Sequence, residues 1–148
     1  MNAYRNAIVL GAASLIFLLG GCTMMRGGPN LVAFTTQLRG ANEVPPVATH
    51  ATGQVDAVLN KDTNLFRWKL SYSGLSGPAT AGHFHGPAAI GQIAGISLPF
   101  KGVMSPMDGQ ATLTAAQAAD LLAGKWYANI HTAAHPGGEI RGQMTPRY

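Results

Sequence analysis

Leu65-Phe66-Arg67-Trp68-Lys69-Leu70-Ser71-Tyr72 alternates large apolar side chains with charged or hydroxyl ones. Successive side chains of a strand point to opposite faces. Phe66, Trp68, Leu70 and Tyr72 therefore share one face, and Arg67, Lys69 and Ser71 share the other, which predicts a half-buried β-strand. Residues 53–59 alternate in the same way, with Val55, Ala57 and Leu59 together. Between the two runs, Asn60-Lys61-Asp62-Thr63-Asn64 is a polar turn, so the pair reads as a hairpin. Further back, residues 31–38 alternate loosely up to Arg39-Gly40. Asn42-Glu43-Val44-Pro45-Pro46 cannot continue a central strand, because proline lacks the amide donor.

Toward the carboxyl end, residues 74–78 break the chain and residues 80–85 form a strand carrying two histidines. Residues 90–100 are apolar and glycine-interrupted, which predicts one strand, or two short ones with a bulge at Gly95. Thr114 followed three residues later by Gln117 fits a capping box, and residues 115–123 are rich in helix formers, with Gly124 as the stop. A strand over residues 126–131 follows the helix directly. Pro136-Gly137-Gly138 then turns the chain into a last strand over residues 139–144. Short strands separated by frequent turn signals predict an all-β fold. The expected form is an antiparallel, Greek-key-like β-sandwich with one short helix before the penultimate strand.

Composition agrees. In 148 residues only 11% are charged, whereas 19 glycines and 9 prolines favour a turn-rich β domain over a helical bundle. The ten basic residues are scattered, so the sequence shows no nucleic-acid footprint. A single monomeric domain is expected.

The amino terminus points to a compartment. Arg5 precedes an apolar run over residues 8–19 that is short for a bilayer span. The run ends at Leu19-Gly20-Gly21-Cys22, which resembles the lipobox of bacterial lipoproteins. That resemblance implies a signal peptide over residues 1–21, cleavage before Cys22, and lipid on Cys22. Several acyl chains anchor a protein stably where one does not. Residues 22–30 read as a flexible tether, and the domain as residues 31–148. Cys22 is the only cysteine, so a lipidated chain has no disulfide. Thr23 follows it rather than aspartate, which by the enteric sorting rule implies the outer membrane, facing the periplasm.

The chemistry concentrates in Gly82-His83-Phe84-His85-Gly86-Pro87. If Phe84 enters the core, His83 and His85 stand side by side on the outer face. In the strand over residues 126–131, Trp126, Ala128 and Ile130 read as the buried side, and Tyr127, Asn129 and His131 as the other. If the two strands are neighbours, His83, His85 and His131 converge, and three neutral imidazoles suit copper or zinc. His135 offers a further ligand, as, less directly, does His50 beside the Pro-Pro loop. Met104 and Met107 suit copper(I) but also serve as gap fillers. Glu139 and Arg141 share a strand face and read as a structural pair, with Arg141 holding a loop. No nucleophile elbow, phosphate loop or close carboxylate pair occurs.

Several segments stand in an order that resembles a known family. They are Glu43-Val44-Pro45-Pro46, Gly74-Leu75-Ser76-Gly77, the histidine segment from Ala81 to Pro87, Leu121-Leu122-Ala123-Gly124-Lys125-Trp126-Tyr127, Asn129-Ile130-His131-Thr132, and Pro136-Gly137-Gly138-Glu139-Ile140-Arg141-Gly142-Gln143. Together they look like the CHRD domain, the module named after chordin and also found alone in bacterial secreted proteins. The likeness covers about Ala33 to Met144. The family usually has Asn before the Pro-Gly-Gly turn, where this chain has His135.

In geometry alone, the His-x-His strand is also similar to the copper strand of copper/zinc superoxide dismutase. The zinc-loop cluster and the disulfide pair of that enzyme are missing here, and fold analogy does not transfer function.

Three readings follow. The first is a lipid-anchored envelope protein that binds copper or zinc. The second is a structural or protein-interaction module without metal, with an envelope protein as its partner. The third is a metal redox enzyme with an open coordination position. The residues favour a non-enzyme.

Overall fold

The computed structural model describes residues 30–148; the expected signal peptide, Cys22 and all of the tether but Asn30 lie outside them. The described elements are β1 (Leu31–Arg39), β2 (Thr52–Asn60), β3 (Leu65–Ser73), β4 (Ala79–His85), β5 (Ile96–Pro99), β6 (Met107–Thr112), α1 (Ala115–Leu122), β7 (Tyr127–Thr132), β8 (Ile140–Gln143) and β9 (Thr145–Arg147). Their pairings are antiparallel and run β5-β4-β7-β8-β1-β2-β3-β6, with β9 added to β1. Where β8 meets β1 the ladder is reduced to one pair, Arg39 with Arg141. There the curled sheet folds over on itself. The chain crosses from half to half between β3 and β4, β5 and β6, β6 and β7, and β8 and β9, which gives the expected Greek-key-like sandwich.

The core lies between the two halves. Phe66 and Trp68 of β3 both meet Phe84 of β4 at 5.3 Å between ring centroids. Trp126 closes on Phe66 at 6.2 Å, edge to face. Such edge-to-face contacts favour the aromatic quadrupoles and add about 0.5–1.5 kcal/mol each beyond burial. Phe66, Trp68 and Leu70 are buried, as the alternation of β3 predicts.

Local chemistry sets the connections. Asn60 Oδ1 accepts from the amides of Asp62 and Thr63, and Asn64 takes a φ of 53°, a conformation that Asn tolerates. The β2–β3 hairpin therefore forms as read. The Thr114–Gln117 capping box also forms, and Gly124 with a φ of 69° ends the helix. In the outcome α1 precedes β7, and β8 is followed by the short strand β9.

Three local expectations change. Residues 90–95 are not a strand. Residues 86–95 cross the outer face of β4, β7 and β8 as a loop, and the carbonyls of Ala88, Gln92 and Ala94 accept from Gln143, Arg141 and His85 rather than from a ladder. β6, in a glycine-containing and weakly patterned run, was not anticipated, nor was β9. Finally, the outer face of β7 is not exposed: every residue from Tyr127 to Thr132 is buried. The loop over residues 86–95 covers one side of it, and the core lies on the other.

Candidate metal centre

Directly opposed residues of an antiparallel pair lie on the same face. The β4–β7 register opposes Ala81 to His131, His83 to Asn129 and His85 to Tyr127. His83, His85, Tyr127, Asn129 and His131 therefore form one patch, with Phe84, Ala128 and Ile130 on the core side. The flanking glycines make this possible. A Cβ on Gly82 would stand 2.5 Å from the Phe100 ring, and one on Gly86 would stand 2.4 Å from Trp126. Only glycine lets those rings close beneath the histidines.

The structure brings His83, His85 and His131 together, each offering a ring nitrogen within 4.8 Å of the others. Each ring is oriented by a neighbour. His85 Nδ1 lies 3.0 Å from Ala94 O, and His131 Nδ1 lies 2.9 Å from Pro136 O. A carbonyl only accepts, so both Nδ1 atoms carry the proton. In the neutral rings the Nε2 atoms then hold lone pairs. Both are aimed at Asn129 Oδ1, at 3.1 Å from His85 and 2.9 Å from His131. His83 Nδ1 stands 3.1 Å from His131 Nε2 and supplies the one proton available there. The His85 ring stacks on Tyr127 at 4.8 Å, and the Arg141 guanidinium lies 3.5 Å from the centre of the Tyr127 ring.

Burial, chiefly, and then the charges of His131 and His85 lower the pKa of His83. Burial also leads in lowering the pKa of His85, against the opposing hydrogen bonds from Ala94, Asn129 and Gly95. Both shifts favour the neutral form that binds metal.

The donor set fits a transition metal. Three imidazoles suit zinc or copper, and hydrogen-bonding the far ring nitrogen to a carbonyl is the usual way to orient a ligating histidine. At a tetrahedral zinc, two zinc–nitrogen bonds of about 2.1 Å place the nitrogens about 3.4 Å apart, so nitrogens up to 4.8 Å apart must close by as much as about 1.4 Å. His83, only half-buried, has the freedom to do so. Asn129 adds a carboxamide oxygen at the same point, and its amide can turn end for end when no cation is present.

Two acids lie beside the patch. A Cβ on Gly138 would stand 2.4 Å from Glu43 Oε1 and 2.8 Å from Asn129 Nδ2, so Glu43 and Asn129 meet at this glycine. Glu43 Oε1 is buried without a partner, and burial pushes the Glu43 carboxyl up to about 7 against the pull of Arg141 and the Val44 amide. Glu139 is the opposite case. Burial raises its pKa, but donors from Ser76, Thr132 and Thr49 more than offset that and bring it down to about 2. Oε1 accepts from Thr49 Oγ1 and the Ser76 amide, and Oε2 from Ser76 Oγ and Thr132 Oγ1. The expected Glu139–Arg141 pair is thus replaced by two separate attachments. Arg141 does hold a loop, through Gln92 O.

The other candidates are elsewhere. His135 closes a turn with its backbone, its carbonyl accepting from the Thr132 and Gly138 amides, and its ring is not part of the histidine cluster. His50 is exposed. Met104 and Met107 line a groove next to β5 and β6. Asn129, Tyr127 and Glu43 were missed as members of the site. Asn129 was legible, since it lies on the same face as His131 two residues away; nothing in the sequence brings Glu43 to it.

Residues 34–144 match the family model of the CHRD domain. The chain belongs to the CHRD family. The matched span of this CHRD domain runs from β1 to the end of β8, so every residue of the histidine patch falls inside it. No curated protein and no solved structure matches the chain. At its departure from the family pattern, His135, the turn still forms, with Gly138 at a φ of 127°.

Proposed function

We propose that this CHRD protein is a lipid-anchored protein of the cell envelope that holds one transition-metal ion, copper or zinc, on His83, His85 and His131. One observation carries the reading. The carbonyls of Ala94 and Pro136 fix the protons of His85 and His131 on Nδ1, so that two Nε2 lone pairs and the Asn129 oxygen converge on one point. The two Nε2 atoms and Asn129 Oδ1 are three acceptors facing one another, with His83 Nδ1 donating to His131 alone; a metal ion would serve all three, and His83 Nδ1 with them once the proton of that ring moves to its Nε2. When bound, the ion supplies Lewis acidity and, if copper, electron transfer. The protein's part is to orient the rings and to limit water through the loop over residues 86–95. Anchoring through Cys22, facing the periplasm from an outer membrane, is supported by the likeness to a lipobox.

Family membership alone fits an extracellular interaction module without metal, and metal content separates the two readings. The full chain, purified without a polyhistidine tag and equilibrated with zinc or copper(II), is expected to retain about one ion after gel filtration. Metal at 100 times its dissociation constant should stabilise the fold by about 2.7 kcal/mol. His83→Ala, His85→Ala and His131→Ala should each remove that gain. Retention well below one ion, or a gain that survives all three substitutions, overturns the proposal.

A further inference from the structure

Three planar groups stack beside the histidine cluster. The His85 ring lies on Tyr127 at 4.8 Å between centroids and within 4° of parallel, and the Arg141 guanidinium carbon stands 3.5 Å from the Tyr127 centroid. β4 and β8 flank β7, so His85 and Arg141 take opposite faces of the tyrosine ring. The loop over residues 86–95 pins all three. His85 Nδ1 and the Tyr127 hydroxyl both donate to Ala94 O, the Ala94 amide donates to that hydroxyl, and Arg141 Nη2 donates to Gln92 O. Arg141 is only 3% exposed, and a guanidinium does not give up its proton. A full positive charge is therefore held two stacking distances from the His85 ring, with little water to screen it. The donors of the cluster carry no charge to offset it. The three imidazoles are neutral when they bind, Asn129 is an amide, and among the described residues no carboxylate or thiolate joins the group.

We propose that Arg141 sets the charge selectivity of the histidine site, so that it favours the monovalent ion copper(I) over copper(II) and zinc(II), a selectivity that rests on the metal reading above. Imidazole serves zinc and both states of copper, so ligand type leaves the choice open. The buried charge decides it. Repulsion grows with the charge of the ion, so a divalent ion meets twice the repulsion of a monovalent one. At this separation and an effective dielectric constant of about 20, each unit of ion charge lowers affinity by a factor on the order of ten. The acids nearby do not cancel Arg141. Glu139 spends both carboxylate oxygens on Thr49, Ser76 and Thr132. Glu43, which feels the pull of Arg141, offsets part of the charge when ionised.

The test uses the full chain without a polyhistidine tag, at about pH 8, where Glu43 is ionised. Copper(I) affinity is read anaerobically by competition with bicinchoninate, and zinc(II) and copper(II) affinities by competition with nitrilotriacetate. Arg141→Gln should strengthen binding of the two divalent ions about tenfold more than that of copper(I), which lowers the reduction potential of bound copper by about 59 mV. Glu43→Gln removes the opposing charge and should move the ratio of affinities the other way. Damage to the site weakens every ion, so opposite movements of the ratio separate charge from structure. Copper bound by the wild type with the ratio unchanged in Arg141→Gln overturns the selectivity and leaves the metal reading standing. So does a ratio that moves the same way in both variants. If Arg141→Gln does not fold, an unchanged ratio in Glu43→Gln has the same force. A wild type that holds none of the three ions overturns the metal reading and the selectivity together.

Discussion

His83 Nδ1 stands 3.1 Å from His131 Nε2, on adjacent antiparallel strands 48 residues apart in sequence. The contact is asymmetric. His131 is buried and spends its own proton on Pro136 O, whereas His83 is half-buried and donates into the contact.

The asymmetry predicts different costs for the two alanine variants. His131→Ala empties a buried position and removes the donor to the Pro136 carbonyl, which costs about 1–3 kcal/mol. His83→Ala removes a half-exposed donor and should cost less than about 1 kcal/mol. Urea titration of the metal-free protein measures both. Equal losses would mean that His131 is not held by the turn carbonyl.

Glu43→Gln should stabilise the metal-free protein above neutral pH. The carboxyl ionises near 4.5 in the unfolded chain and at about 7 in the fold. Between those values the folded state binds more protons, so stability falls as pH rises through the window and stays reduced above 7. The neutral amide removes that loss, a gain on the order of 1–3 kcal/mol at pH 8 and little at pH 4. Chemical denaturation at the two pH values decides it.

In the Glu43→Gln background the histidines should govern the acid side. His83 and His85 have pKa values below the ordinary 6.5 in the fold. Below that value the unfolded chain takes up protons that the folded protein refuses. Stability should therefore decline as pH falls from about 6.5 toward the lower folded values. Bound metal, which also excludes protons, should be lost over the same range. A flat profile between pH 7 and 5 would mean that the two rings protonate freely in place.

Glu139→Gln should be among the costliest single substitutions outside the aromatic core. Four donors converge on the carboxylate, and an amide turns its own donors toward two of them, costing about 2–4 kcal/mol. The wild type should also lose stability as pH falls below about 4.5 toward 2, and the variant should not show that step. Acid titration of both proteins by circular dichroism separates them.

Cys22→Ser should abolish incorporation of radiolabelled palmitate in a bacterial host that processes lipoproteins. The wild type should label and partition with membranes. Equal labelling of the two chains removes the lipid anchor from the proposal.

Much of the architecture was legible in the chain itself. Period-two alternation over residues 53–59 and 65–72 set the hairpin and its buried face, because a strand cannot put neighbouring side chains on one side. Thr114, Gln117 and Gly124 bounded the helix through contacts among near neighbours. The two-residue spacing of His83 and His85 fixed them on a common face whatever the rest of the chain did.

What sequence could not decide was pairing and covering, since both depend on residues far apart along the chain. Only the β4–β7 register brings His131 to His83 and Asn129 to His85. Residues 90–95 carry enough isoleucine to suggest a strand. Their carbonyls instead meet Arg141 and His85, so the segment became a cover over a polar face that alternation alone marks as exposed. The unpaired atoms of Glu43 and Trp68 have the same origin. A side chain's partner, or the lack of one, is set by which distant strand arrives beside it, and local pattern carries no record of that.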